Sequence, residues 1–287
     1  IIFSPLANAT LIWESNLGQL VLQGPNNFPF SGGFSVNYNI GFDFSFYGNT
    51  YSNLWLNSNG TITFDDQNVV VWNGSFPAEQ PMGVNGPQPN ESMKMIAPLW
   101  DNLSISPDAK EDGSVDPNTG IWANLIGTPG SRKLVITWNN VSHFNESGYP
   151  TVFYGSDTFQ VTLTEGSTDI LFSYLNLDGV TDPIHSGSYS NGSYSFPNDF
   201  NGITIGVNAG DLPGSQYIRG TQYLYGFVDN SLLPQNDSVL LTYDPDYYAP
   251  GVGEYVIANT TPVPEPSTII LLGTSLVALY LIRVRDN

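Results

Sequence analysis

Leu54-Trp55-Leu56-Asn57-Ser58-Asn59-Gly60-Thr61-Ile62-Thr63-Phe64 carries the fold decision. Two β-prone runs flank Asn57–Gly60, and Asn-Gly accepts the positive φ that a tight hairpin turn demands. Apolar and polar residues alternate on either side, so each arm turns one face to a core and the other outward. The same period of two recurs in Phe42-Asp43-Phe44-Ser45-Phe46 and in Phe159-Gln160-Val161-Thr162-Leu163-Thr164. Lys133–Trp138 and Asp169–Leu175 are further β-rich runs, and Glu165–Thr168 turns the second back on Phe159–Thr164. Strands are also expected near 19–23, 34–40, 69–72, 121–126, 202–208 and 238–243. No segment before residue 268 sustains a helical period over three turns. A dozen short strands joined by turn residues predict an all-β ectodomain, β-sandwich-like or barrel-like, with the sandwich preferred. Trp55, Trp100 and Trp138 sit in apolar strand patterns and are expected in its core.

Composition agrees. Charged residues make up only 11% of the 287, while Gly and Pro number 29 and 21, which favours turns over long solvated helices. The net charge of −19 repels phosphate backbones and argues against nucleic-acid binding. With no Cys, the chain has neither disulfides nor thiolate chemistry.

The ends supply an address. Ala7-Asn8-Ala9, after the apolar Ile1, Ile2, Phe3 and Leu6, fits the small-x-small pattern of signal peptidase, so residues 1–9 read as the remnant of a secretory signal peptide. The ectodomain is expected over 10–243, and the proline-containing segment 244–266 reads as a stalk. Residues 267–287 read as a hydrophobic transmembrane helix with a basic tail. Its apolar stretch Ile269–Ile282 is about 21 Å long as a helix, short for a core of about 30 Å. Arg283 and Arg285 form a basic stop that places the C-terminus in the cytoplasm and everything upstream outside.

Val263-Pro264-Glu265-Pro266-Ser267, the span and the basic end together resemble the PEP-CTERM sorting signal. The resemblance implies recognition by an exosortase and removal of the tail. It also implies transient tethering to the inner membrane of a Gram-negative bacterium, followed by release to the cell surface or an exopolysaccharide matrix.

A second resemblance covers about residues 40–210. Leu54–Phe64 is similar to the "V-N-x-N-G-x-I-x-F" hairpin of the nidogen-like (NIDO) extracellular domain. Ile96–Asp101, Ile136–Val141, Thr158–Leu163, Asp169–Tyr174 and Ile203–Gly210 follow that family's later segments in order. This resemblance implies a role in extracellular matrix or cell adhesion and brings no catalytic constellation.

Few residues in the chain carry a recognisable chemistry. His143 and His185 lie 42 residues apart in polar surroundings and read as solvated loop residues. No Gly-x-Ser-x-Gly elbow or phosphate-binding P-loop occurs. The best site candidate is an acidic insertion, in which Asp101, Asp108, Glu111, Asp112 and Asp116 could offer oxygen ligands to Ca²⁺; a solvated acidic loop is the competing reading. Tyrosines within 189–194, 217–225 and 243–255 sit among polar neighbours; where exposed they could stack on sugars or anchor an interface, and local packing within turns is the competing reading. Ten Asn-x-Ser/Thr triplets include Asn59-Gly60-Thr61, where a turn role suffices. The expectation is therefore a non-enzymatic structural or adhesion protein, with exopolysaccharide or matrix proteins as candidate partners. The alternative is a carbohydrate-binding module or glycan-active enzyme of that matrix.

Overall fold

The computed structural model describes residues 11–26, 34–64, 93–110, 112–145, 152–177, 203–211, 215–226 and 233–258. The expected signal remnant, the strand near 69–72, the sorting box and the C-terminal helix lie outside these residues. Among the described residues no helix is long and apolar enough to cross a membrane.

The described residues form fourteen strands, in chain order β1 (Gln19–Leu22), β2 (Ser35–Phe46), β3 (Asn49–Asn57), β4 (Thr61–Thr63), β5 (Lys94–Trp100), β6 (Leu103–Ser104) and β7 (Gly120–Ile126). The rest are β8 (Lys133–Asn145), β9 (Val152–Thr164), β10 (Ile170–Asn176), β11 (Ile203–Ala209), β12 (Gly220–Gly226), β13 (Asp237–Ala249) and β14 (Val252–Ile257). They form two sheets, ordered β1-β7-β8-β9-β10-β13-β14 and β12-β11-β5-β4-β3-β2, with β6 paired to β8 in the first. Every pairing among them is antiparallel.

Register converts the alternating pattern into rows of core residues. In the larger sheet Leu134, Leu163, Ile170 and Leu241 stand side by side, as do Ile136, Val161, Phe172 and Val239. Trp138, Phe159 and Tyr174 form the next row. In the smaller sheet Val36, Leu56, Ile62, Ile96 and Val207 make one row. All of these except the half-buried Val36 are withdrawn from solvent, and both sheets contribute to one continuous core. Each fully buried aliphatic or aromatic side chain contributes about 1.5–3 kcal/mol by leaving water. Trp100 and Trp138 are in the core as expected, whereas Trp55 is only half-buried because Leu54 and Leu56 take the inward positions of β3.

Two differences from the sequence reading matter below. Residues 244–258 are not the start of a stalk. They complete β13 and form β14 at the edge of the larger sheet, where Tyr243 faces Tyr255 and Leu241 faces Ile257. A regular strand pair built from Tyr, Val and Ile satisfies its backbone, whereas prolines at 245 and 250 fall at a bulge and a turn, where no ladder bond is lost. The Asn57–Gly60 turn, moreover, is enclosed. Asn57, Ser58 and Asn59 are all buried, so the folded chain offers Asn59 no surface for glycosylation.

Candidate functional site

The enclosed turn meets the segment that carries the chain from β5 in one sheet to β6 in the other. Asp101 N–H donates to the Asn59 carbonyl at 3.3 Å, and Leu103 N–H donates to Asn59 Oδ1 at 3.4 Å. Gly60 takes φ +74°, and a Cβ there would lie 1.8 Å from the Leu99 carbonyl oxygen, so the position demands glycine twice over. Trp138 Nε1–H donates to the Asn57 carbonyl at 3.0 Å while its ring stacks on Phe159 at 5.2 Å.

Behind this crossover lies the most highly charged buried cluster among the described residues. His143 is wholly buried on β8, flanked by two carboxylates. Its Nδ1 is 2.7 Å from Asp101 Oδ2 and its Nε2 is 2.5 Å from Asp157 Oδ2. Burial pushes the imidazole pKa down, but the charge of Asp157 and hydrogen bonds to both carboxylates outweigh it and raise the pKa to about 10. The ring is therefore an imidazolium, and both N–H groups donate. With its two nitrogens committed, the ring has no lone pair to accept a proton or bind a metal.

The expectation of a solvated loop histidine was wrong for His143. Register irregularities between Trp138 and Val141 and between Val141 and His143, with Asn140 at φ +53°, break the alternation of β8. Val141, Ser142 and His143 are consequently buried in succession, which a period of two forbids. The partners lie 42 and 14 residues away in the chain, so local pattern carries no trace of the triad. His185 lies outside the described residues.

The acidic insertion does not gather its carboxylates into one place. Asp101 faces His143. Asp112 Oδ1 accepts from Ser114 N–H at 2.9 Å in an Asx turn, and hydrogen bonding by the Ser114 side chain, then by its N–H, lowers the Asp112 pKa. Asp116 Oδ1 accepts from Asn118 N–H at 2.9 Å, and its Oδ2 accepts from Asn140 Nδ2. Asp108 is half-buried in the same loop, and Glu111 lies outside the described residues. Among the described residues no group of three His, Asp or Glu side chains could hold a metal ion.

A third buried carboxylate sits at the β12–β14 contact. Glu254 accepts from Gly220 N–H and Tyr255 N–H, each at 2.8 Å, from Thr221 Oγ1 at 3.1 Å and from the Tyr47 hydroxyl. Burial first, and then the charge of Glu254, push the Tyr47 pKa well up. The Arg219 guanidinium lies 5.2 Å from the centre of the Tyr47 ring and pairs with Asp211 at 2.7 Å. Glu254 thus ties β14 to β12 and to the turn after β2.

Comparison with known proteins adds two findings. A family model described as NIDO related matches residues 20–219, and one described as a PEP-CTERM protein-sorting motif matches residues 262–285. No curated protein and no solved structure shows significant similarity to the chain.

Proposed function

The chain belongs to the NIDO-related family, and from that premise we propose that it acts outside the cell as a non-enzymatic structural or adhesion module. The PEP-CTERM motif at 262–285 marks it for export, transient membrane anchoring and exosortase-dependent sorting. The observation that carries the proposal is this order along one chain: a sandwich whose last described strand ends at Ile257, followed within five residues by the sorting motif. Sorting therefore displays the sandwich with β14 next to the point of attachment. A Gram-negative surface or a matrix is the setting that suits such an arrangement.

Neither buried charged cluster among the described residues speaks for an enzyme. In each, the ionised group is engaged by protein partners, and the buried imidazole has both nitrogens occupied. General acid–base work needs a group within reach of substrate with a proton to exchange near neutral pH.

The test is attachment. Deleting the gene in the native host should reduce cell–cell or cell–surface attachment at unchanged growth, and the wild-type chain supplied in trans should restore it. Unchanged attachment, with loss of an extracellular catalytic activity instead, would overturn the proposal.

A further inference from the structure

Three tyrosines form a shared aromatic surface at the tip of the β13–β14 hairpin. Tyr217 and Tyr248 stack with ring centres 5.2 Å apart and planes 25° from parallel. Tyr247 meets Tyr248 edge-on at 4.9 Å. Tyr247 and Tyr248 are 52% and 43% exposed.

The backbone is built to present them. Asp244 pairs with Glu254 and Ala249 with Val252, so four residues (245–248) on β13 oppose the single Gly253 on β14. This bulge explains how consecutive tyrosines can both face solvent with their rings touching, since a regular strand would send them to opposite faces. Asp246 pins it by accepting from Gly251 N–H at 2.9 Å, while its own N–H donates to Asp244 Oδ1 at 3.0 Å. The third ring is held independently. Arg219 donates to Asp211 through its backbone N–H, Nε and Nη2 at 2.7–2.8 Å, fixing the segment that carries Tyr217. Gln216 Nε2 donates to the Tyr217 hydroxyl at 3.2 Å.

We propose that this tyrosine platform is a stacking site for an uncharged polysaccharide. A tyrosine ring supplies a flat apolar face with a hydrogen-bonding edge, and it does so with little rotamer entropy to lose. The rim is polar, with exposed Asp244, Asp246 and Gln216 available to hydroxyl groups. Carboxylates in the rim and a chain charge of −19 disfavour an anionic polymer. Size disfavours a protein partner. Three rings that would each bury at most about 150–250 Å², already partly covered here, fall well short of the roughly 800 Å² per side of a stable interface. The site combines a residue inside the NIDO-related match with two beyond its end at 219, so it belongs to this chain's own hairpin. The inference deepens the extracellular reading and rests on it.

The test is affinity electrophoresis of the full chain in detergent, in native gels containing laminarin, galactomannan or dextran, with alginate as the anionic comparison. At least one neutral polymer should retard the wild-type chain. Tyr247→Ala and Tyr248→Ala should weaken that retardation about two- to tenfold each, and Tyr247→Phe should retain it. Saturation of tyrosine ring protons in the wild-type chain should transfer to the same polymer, a readout that needs no variant. Retardation by none of the three, retardation unchanged in both alanine variants, stronger retardation by alginate, or a self-associated form dispersed by Tyr247→Ala would each overturn the inference. A chain that is exported and processed but ignores all three polymers fails this inference alone. A chain that never leaves the cell fails the reading beneath it.

Discussion

Trp138, in the larger sheet, donates its indole N–H at 3.0 Å to the main-chain carbonyl of Asn57, in the smaller sheet. One side chain thus fills the space between the sheets and supplies a polar partner to the turn that closes the β3–β4 hairpin. Trp138→Ala should cost about 3–5 kcal/mol in urea unfolding, from the lost contacts and the cavity left beside Phe159. Trp138→Phe should cost less, because ring stacking survives while the Asn57 carbonyl loses its donor. A loss under about 1 kcal/mol for the alanine variant would contradict the strand phasing.

Gly60 is the complementary test on the other side of that contact. An alanine there must adopt φ +74° and place its Cβ 1.8 Å from the Leu99 carbonyl oxygen. Backbone strain alone costs roughly 1–2 kcal/mol, and the clash forces the turn off the β5–β6 crossover. Gly60→Ala should therefore destabilise by more than about 2 kcal/mol, whereas Gly48→Ala, where a Cβ meets nothing within 4 Å, should pay only the conformational cost. Equal losses at the two positions would show that the turn is not enclosed.

His143 links stability to pH. Its folded pKa, about 10, lies above the ordinary value of 6.5, so the folded state holds the proton more tightly. The stabilisation is complete below pH 6.5, declines as the unfolded chain loses its proton above that, and is gone once the pH passes about 10. Urea midpoints measured from pH 6 to pH 10 should fall more steeply for the wild type than for His143→Gln. At pH 7 that variant should lose about 3–5 kcal/mol, because two buried carboxylates lose their cation. Parallel pH profiles would mean that His143 is neutral in the fold.

The acidic insertion should respond to ionic strength rather than to a particular ion. Asp101, Asp112 and Asp116 each have a partner within the protein. Ca²⁺ and Mg²⁺ at matched ionic strength should raise Tm equally, through screening of a chain with charge −19. A shift specific to Ca²⁺ that disappears in Asp112→Asn/Asp116→Asn would contradict this and restore a calcium loop.

Much of the fold was readable because period-two alternation and Asn-Gly turn chemistry are local signals. The rows through Leu134, Ile136 and Trp138 follow directly from the Lys133–Trp138 pattern. The charged triad was not readable. Its three members are brought together by a crossover between sheets and by two irregularities in β8, and neither leaves a local pattern. Prolines at 245 and 250 concealed the far end of β13 and the whole of β14, since a bulge and a turn absorb them without breaking the ladder. Of the candidate ligands, Asp101 was noticed for its charge, with a calcium ion or solvent as the alternatives beside it, and in the fold it faces the ring of His143.

The most direct measurement is the intact mass of the chain recovered from outside its native host. If Pro264-Glu265-Pro266 within the matched motif directs sorting, the mass should correspond to a chain that has lost the Ile269–Ile282 stretch. Glu265→Ala should then hold the uncleaved form in the membrane fraction. A mature extracellular chain that retains residues 269–282 would contradict the account.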